Sequence, residues 1–372
     1  MATGLLPSQF FASGGRSCCK FPKLPGAKPS KFHSRVSVPR LSRRVSATAT
    51  PVATDAESLV GFLEKDLPHL FDDQGIDRTR YEERVEFRDP ITKYDTLSGY
   101  LFNLQLLRVV FNVEFILHEA KKTKQDEITT RWTMNMTFKL LPWKPVLLIT
   151  GVSVMGVNLS TGRFRSHVDY WDSVDNNDYF SFEAVMDVLK QMRPFKTPGL
   201  ETPKYTALKR TKYYEIRKYD AFLVVETTTD GLASSSGFNS VAGYIFGKNQ
   251  REEKMKMTTP VFTARQSQDC SDVIQIVLPL NCELPKLPPP NSSELTLREV
   301  SRVYAAAIKF SGAVTEELVM EKQKLLRDSL CRDDLKPADG YLLARYNDPD
   351  STPAFLRRNE VLIWLEDYHF EV

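Results

Sequence analysis

The sequence is poor in the residues that most often announce chemistry. Among its 372 residues are five histidines and five cysteines. Cys18 and Cys19 stand together near the N-terminus, and Cys270, Cys282 and Cys331 are scattered, with no C-x-x-C spacing. That pattern signals neither a zinc site nor a disulfide framework. A phosphate loop of the form G-x-x-x-x-G-K-[ST], a G-x-S-x-G nucleophile turn and an H-E-x-x-H helix are all missing, which excludes an enzyme with an ordinary cofactor or nucleophile signature. No apolar run reaches the ~18 residues of a membrane span. The best candidate, PVLLITGVSVMGV at 145–157, is broken by Gly and Thr and reads as a strand. Acidic residues are wholly missing from 1–54, which hold nine of the 50 Lys and Arg, leaving 41 basic against 47 acidic residues in the remainder. A mildly acidic body lacks the basic footprint that a nucleic-acid partner requires.

What fills 1–54 is Ser, Thr, Arg and Lys with no apolar core, the pattern of an organelle transit peptide and not of a secretory signal. The opening MATGLLPSQFFASGG resembles chloroplast leaders more than the Arg-helical mitochondrial type, and RRVSATAT at 43–50 is the expected processing region. No apolar stretch follows Arg43-Arg44, so the expected destination is the stroma or a surface facing it. Peripheral contact with such a surface needs no membrane span. A Pro-rich break at 193–212 reads as a linker between a domain at 55–192 and a second at 213–372, and ELPKLPPPNSSE at 283–294 divides the second into halves.

The first domain is expected to open with a helix over 55–71, carrying Leu59, Phe62, Leu63, Leu67 and Leu70 at helical spacing. A second helix at 97–111 is apolar nearly all round and expected to be buried. Long strand-like runs follow, the last two joined at Ser160-Thr161-Gly162 as a hairpin. Helices followed by long antiparallel strands predict an α+β domain with a curved sheet wrapped on helices. FRDP at 87–90 and G-x-F-x-S-H-x-D-Y-W-D at 162–172 resemble the cone-shaped fold shared by ketosteroid isomerase and nuclear transport factor, and an uncharacterised plant and cyanobacterial family of that shape.

The second domain repeats itself. YEIRKYDAFLVVETT at 214–228, an apolar helix at 236–247 and the strands KMKMTTPVFTA and DVIQIVLPL recur in the same order after a shift of 84 residues, with Glu299 under Glu215 and Ala305 under Ala221. Two copies of a strand–helix–strand–strand unit form a duplicated unit, not a solenoid. Packed about a pseudo-twofold, they would leave a groove between them. Y-E-I-R-x-Y, V-x-E-T, G-x-x-x-x-x-x-K-M-x-M-T-x-P-V and R-R-N-E-V at 357–361 resemble the SOUL haem-binding family over 199–372. The resemblance implies a distorted antiparallel β-barrel with two flanking helices. It also implies haem or another tetrapyrrole as cofactor, held non-covalently in an apolar groove without a histidine axial ligand.

On that resemblance, Met255 and Met257, alternating with Lys254 and Lys256 in a strand at 254–261, would line the groove, and the 84-residue shift would set Tyr341 opposite Met257. Phe238, Val241, Ala242 and Ile245, one stripe of the helix at 236–247, would supply the other wall. The same residue types serve equally as plain core. Lys248 and Lys254 are candidates to meet haem carboxylates or else plain solvated lysines, since the helix positions where some family members carry basic residues hold Ser235 and Gly243 here. The only histidine of 199–372, His369, lies at the far C-terminal end. In the first domain His167 and Asp169 share a strand face with Trp171, opposite Tyr170 and Asp172. That pair makes a candidate general acid–base couple, and an isomerase, hydrolase or pseudo-enzyme there is one alternative to a tetrapyrrole carrier. Another is a ligand-free scaffold in which both modules are protein-interaction platforms, whereas in the carrier reading the first domain contacts a protein partner or lipid surface. His118-Glu119 is expected to face solvent, and His69 to close the first helix.

Overall fold

A computed structural model describes residues 56–195, 198–232, 235–265 and 271–370, so the leader expected at 1–54 and Cys270 lie outside the described residues. The N-terminal module begins with α1 (Ala56–Asp66), followed by β1 (Tyr81–Arg88), β2 (Lys93–Tyr94), α2 (Leu97–Val110) and the long strands β3 (Phe111–Lys124), β4 (Glu127–Phe138), β5 (Val146–Asn158) and β6 (Arg163–Trp171), and ends with α3 (Phe182–Gln191). The six strands form one sheet in the order β2-β1-β6-β5-β4-β3, antiparallel except for β1 against β6. Leu59, Leu63 and Leu67 pack with Tyr100 of α2 against Tyr81, Met155 and Phe164 of the sheet, which makes the curved sheet and its helices one core. The hairpin turns at Gly162, whose φ of +66° suits glycine alone among ordinary choices. Only one side of α2 is buried, however. Leu97, Tyr100 and Leu104 face the core, while Phe102, Leu106 and Val109 are exposed, because the sheet is curved and covers a single face of the helix.

The C-terminal module is a single nine-stranded antiparallel sheet with a helix in each half. Its elements are β7 (Tyr205–Arg210), β8 (Glu215–Tyr219), β9 (Phe222–Thr229), α4 (Ser235–Ile245), β10 (Val261–Arg265), β11 (Asp272–Val277), β12 (Thr296–Val300), β13 (Val303–Phe310), α5 (Glu316–Arg332), β14 (Tyr341–Arg345) and β15 (Asn359–Trp364). The strand order β12-β9-β11-β10-β14-β15-β13-β8-β7 makes the duplication visible. β10 and β14 pair at the centre, β9 and β11 mirror β13 and β15, and the first strand of each copy crosses to the other half, β8 beside β13 and β12 beside β9. α4 packs on β9 and β11 as α5 packs on β13 and β15.

Two expectations change here. The stretch 193–212, read as a linker, contains β7, which pairs with β8 at the sheet edge. It also binds the N-terminal module. Arg131 holds Asp172 through two bonds of 2.7 and 2.6 Å and donates to the Leu208 carbonyl, Thr133 donates to the Ala207 carbonyl, and Arg210 grips Asp187 of α3 at 2.7 and 2.8 Å. Composition alone does not reveal this, because an edge strand needs a partner sheet and not a particular apolar pattern. The second change concerns register. Val261–Arg265 pairs with Tyr341–Arg345 so that Thr263 opposes Leu343. Across this central pair the copies are offset by 80 residues, so Val261, and not Met257, is the counterpart of Tyr341.

The motif residues Y-E-I-R and R-R-N-E-V meet in the interior. Arg217 of β8, wholly buried, reaches across β13 to Glu360 of β15 at 2.6 and 3.1 Å, while its Nε and Nη2 bind Glu215 at 2.9 and 2.6 Å. Ala305 and Ala307 face the same side of β13 and leave the space for that crossing. Arg358 completes the site at 2.7 Å from Glu360 and stacks 3.9 Å over the ring of Tyr346, whose hydroxyl donates to the same carboxylate. Burial alone would raise the pKa of Glu360, but Arg217 and then Arg358 outweigh it and hold the carboxyl far below its usual range. Removing one partner of such a pair strands the others, at a cost of about 3–5 kcal/mol. Arg217→Met should cost that much in urea unfolding, and Arg217→Lys nearly as much, because an ammonium cannot reproduce the guanidinium fork. A loss below ~1 kcal/mol for both would show the network to be incidental.

Candidate functional site

The helix α4 ends where Gly247, at φ +99°, lets Lys248 N–H return to the Gly243 carbonyl at 2.8 Å. Asn249, buried in the loop beyond, donates to the carbonyls of Tyr244 and Glu253 and accepts from the N–H groups of Arg251 and Glu253. This loop and the outer side of α4 enclose a broad groove of about 910 Å³, lined by Asn239, Ser240, Phe246, Lys248, Lys254 and Leu295 among others. The stripe expected to line it points the other way. Val241, Ala242 and Ile245 are buried against Val225, Ile274 and Ile276, and Phe238 packs partly on the same cluster. Helical spacing finds an apolar stripe but cannot say whether sheet or solvent lies beneath it, and here the sheet does.

Residues 252–257 form no strand, and the ladder begins only at Val261. The segment is a strap. Met255 N–H donates to the Ile245 carbonyl at 2.9 Å, Thr258 donates to the Val277 carbonyl, and Thr259 donates to the Tyr346 carbonyl at 2.9 Å. The peptide between Thr259 and Pro260 is cis. Met255 and Met257 turn inward onto the α4 cluster as partly buried core, while Lys254 and Lys256 are exposed. Tyr341 lies elsewhere, opposite Arg265 in the ladder and packed with Val319, Leu326 and Leu330 of α5. The expected wall of Met257 facing Tyr341 is therefore not formed. Lys248 and Lys254 are the two expected residues that do meet in a groove. Phe246, Leu295 and the organising Asn249 were missed, since nothing in their spacing distinguishes them.

In the N-terminal module His167 and Asp169 do share the inward face of β6, and they come together with three residues from other elements. Tyr100 lies 2.9 Å from His167 Nδ1, and His167 Nε2 lies 3.1 Å from Ser153 Oγ and 3.0 Å from Asp169. Ser153 donates to Asp169 at 2.6 Å and accepts from Trp132 Nε1 at 2.7 Å. The single hydroxyl proton of Ser153 thus goes to the carboxylate and not to the imidazole. The bonds are mutually satisfied with Tyr100 donating to Nδ1 and Nε2–H donating to Ser153. This is the bonding of a packed polar core; an activated serine would give its proton to histidine. Tyr170 is exposed, and Asp172 serves Arg131 in the joint.

Two further groups titrate unusually. Burial raises Asp89, of the FRDP turn, to about 6, against the bonds it accepts from the N–H and hydroxyl of Thr92. His118, expected to face solvent, is half-buried beside Phe370 and bonded at 2.8 Å to the joint residue Thr133. Its burial, with repulsion from Arg131, lowers it to about 4. The folded state therefore holds an extra proton on Asp89 between pH 4 and 6, and stability from this group falls as pH rises. For His118 the unfolded state holds the extra proton between about 4 and 6.5, so its contribution is lost as pH falls. The two oppose each other over one window, each spanning about 1–3 kcal/mol. Denaturant midpoints between pH 4.5 and 6.5 should rise more steeply with pH in Asp89→Asn than in the parent, and flatten or reverse in His118→Gln. Parallel profiles for all three proteins would refute the assignment.

Comparison with known proteins accounts for both modules. A family model described as SOUL heme-binding protein matches residues 200–364, and one described as an uncharacterized conserved protein (DUF2358) matches residues 57–167. Human Heme-binding protein 2 is 32% identical over 180 residues, a span of 46% of this chain and 85% of that protein. The mouse Heme-binding protein 2 is 27% identical over 128 residues, which cover 31% of this chain and 62% of its own length. A solved NTF2-like protein of unknown function from Exiguobacterium sp. 255-15 aligns with 30% of this chain and 99% of its own, at 12% identity and a TM-score of 0.26. With the duplicated sheet, its motif network and a relative matched over most of its length, the chain belongs to the SOUL heme-binding protein family.

Proposed function

We propose that this protein binds haem or a related tetrapyrrole reversibly in the groove outside α4 and carries or buffers it in the chloroplast, to which its leader would direct it. The observation that carries this reading is the groove itself, on the family's own module. It has about 910 Å³ of space, an exposed Phe246 and a half-buried Leu295 as apolar contacts, and Lys248 and Lys254 on its rim. Haem presents a flat apolar face and two carboxylates, and charge-assisted bonds from lysine suit the latter. A bound tetrapyrrole would supply the pigment or redox chemistry; the residues here hold and orient it. Among the described residues the lining contributes no His, Cys, Met or Tyr side chain, and His369 is exposed near the C-terminal end. Affinity would rest on apolar contact and carboxylate pairing, which suits exchange better than redox catalysis.

No described helix is long and apolar enough to cross a membrane. Contact with a plastoglobule or thylakoid surface, and a protein partner on the N-terminal module, remain proposals of the same reading. Titration of the protein from residue 55 onward with micromolar haem should shift the Soret band and saturate at one equivalent. Phe246→Ser and the pair Lys248→Glu with Lys254→Glu should each weaken binding about tenfold, or ~1.4 kcal/mol. Met255→Ala with Met257→Ala should lower stability and leave affinity nearly unchanged. An unshifted Soret band refutes the function, and binding indifferent to the Phe246 and lysine changes refutes the site.

A further inference from the structure

A second cleft, of about 490 Å³, opens where the two modules meet, within the range of about 300–1,000 Å³ common for small-molecule sites. The β4–β5 turn, the end of α3 and the β7–β8 turn form its rim, and β13 forms its floor. Trp143 Nε1 donates to the Met192 carbonyl at 3.0 Å, which pins the turn to the helix end and leaves the ring on the rim, 44% exposed. Tyr213 and Phe195 add aromatic surface.

The cleft is far more cationic than the protein around it. Three of its cations are neutralised: Arg210 by Asp187 at 2.7 Å, Lys212 by Glu183 at 2.7 Å, and Arg358 by Glu360 at 2.7 Å. Glu215, the only carboxylate lining the cleft among the described residues, is committed to Arg217 at 2.6 Å. Lys144, Lys190, Arg193 and Lys309 converge on the same space with no carboxylate within ion-pair distance among the described residues. Lys309 is the most telling. Its side chain is exposed on β13 and opens to the cleft, with the ammonium 6.0 Å from the Phe195 ring centre. Partial desolvation against the cleft wall, offset in part by Glu215, holds it below the usual lysine range. A ligand oxyanion entering the cleft would meet cations that no carboxylate already holds in an ion pair.

We propose that this cleft is a ligand site separate from the α4 groove, for a small molecule bearing two or more carboxylate or phosphate groups on a flat apolar body. The unpaired cations take the oxyanions, and Trp143, Phe195 and Tyr213 cover the ring. Because the walls come from both modules, the ligand also reports on their joint.

The test uses the whole chain at low ionic strength, titrated calorimetrically with benzene-1,3,5-tricarboxylate, citrate and pyrophosphate. One equivalent of the aromatic tricarboxylate should bind, more tightly than citrate; tighter binding of pyrophosphate instead would assign the phosphate class to the same site. Lys190→Glu and Arg193→Glu, both on exposed side chains, and Lys309→Met should each lower affinity at least tenfold with the melting temperature of the unliganded protein unchanged for the first two. Lys204→Glu, an equal charge change on an exposed residue outside the cleft, should leave affinity unchanged. The proposal is overturned if no probe binds, or if Lys204→Glu weakens binding as much as Lys190→Glu, which would reveal diffuse electrostatics only. Phe246→Ser with the Lys248 and Lys254 changes should keep the probes bound, so failure of the haem reading and failure of this one are separable.

Discussion

The contact on which the C-terminal module turns is the pair Arg217–Glu360. Both side chains are fully buried, on strands that are not neighbours, with β13 between them. Two alanines of β13 make the crossing sterically possible, and Glu215, Arg358, Tyr219 and Tyr346 complete the coordination. A charge pair of this kind gains little net stability over an apolar core, but it penalises every arrangement that leaves a member unpaired. A register slip of one residue in β8 or β15 would turn Arg217 or Glu360 to the opposite face. The duplicated fold, in which the two copies offer similar strands to each other, is the kind that needs such a discriminator.

The same logic sets the joint between modules. β7 lies at the sheet edge, where unpaired backbone groups invite association with other chains. Here they are engaged from within: Arg131 and Thr133 of β4 take the carbonyls of Leu208 and Ala207, and Thr150 of β5 accepts from the Arg210 N–H at 2.7 Å. Asp172 and Asp187 then neutralise Arg131 and Arg210. The N-terminal module thus covers an edge that the C-terminal module could not leave bare, which gives the two a physical reason to share a chain.

How far the sequence revealed this depended on whether the determining contact was local. The order of the repeat was legible, because strand–helix–strand–strand periodicity survives in each copy. Its offset was not, because the loop after α4 differs in length from the loop after α5, and only the Thr263–Leu343 pairing shows 80 in place of 84. Alternation correctly put His167 and Asp169 on one inward face, yet Tyr100, Ser153 and Trp132, which decide what that pair can do, arrive from three other elements. Alternation misled at Met255 and Met257, where hydroxyl-to-carbonyl bonds from Thr258 and Thr259 replace a ladder. The motif that marks the family is therefore, in this chain, a set of structural bonds more than a list of ligand contacts.

That distinction explains where surplus charge collects. Around the buried pair stand three cations, Arg217, Arg358 and Lys309, and two carboxylates, Glu215 and Glu360. Glu215 is consumed by Arg217, and Glu360 by Arg217 and Arg358 together. Lys309 joins them from β13. It sits opposite Glu360 in the β13–β15 ladder, and the alternation that places Ala305 and Ala307 under the arginine places Lys309 on the same face. The network that holds the sheet in register thus carries one positive charge in excess, beside a cleft whose rim adds Lys144, Lys190 and Arg193. The attraction of that cleft for an oxyanion is a consequence of how the sheet keeps its register.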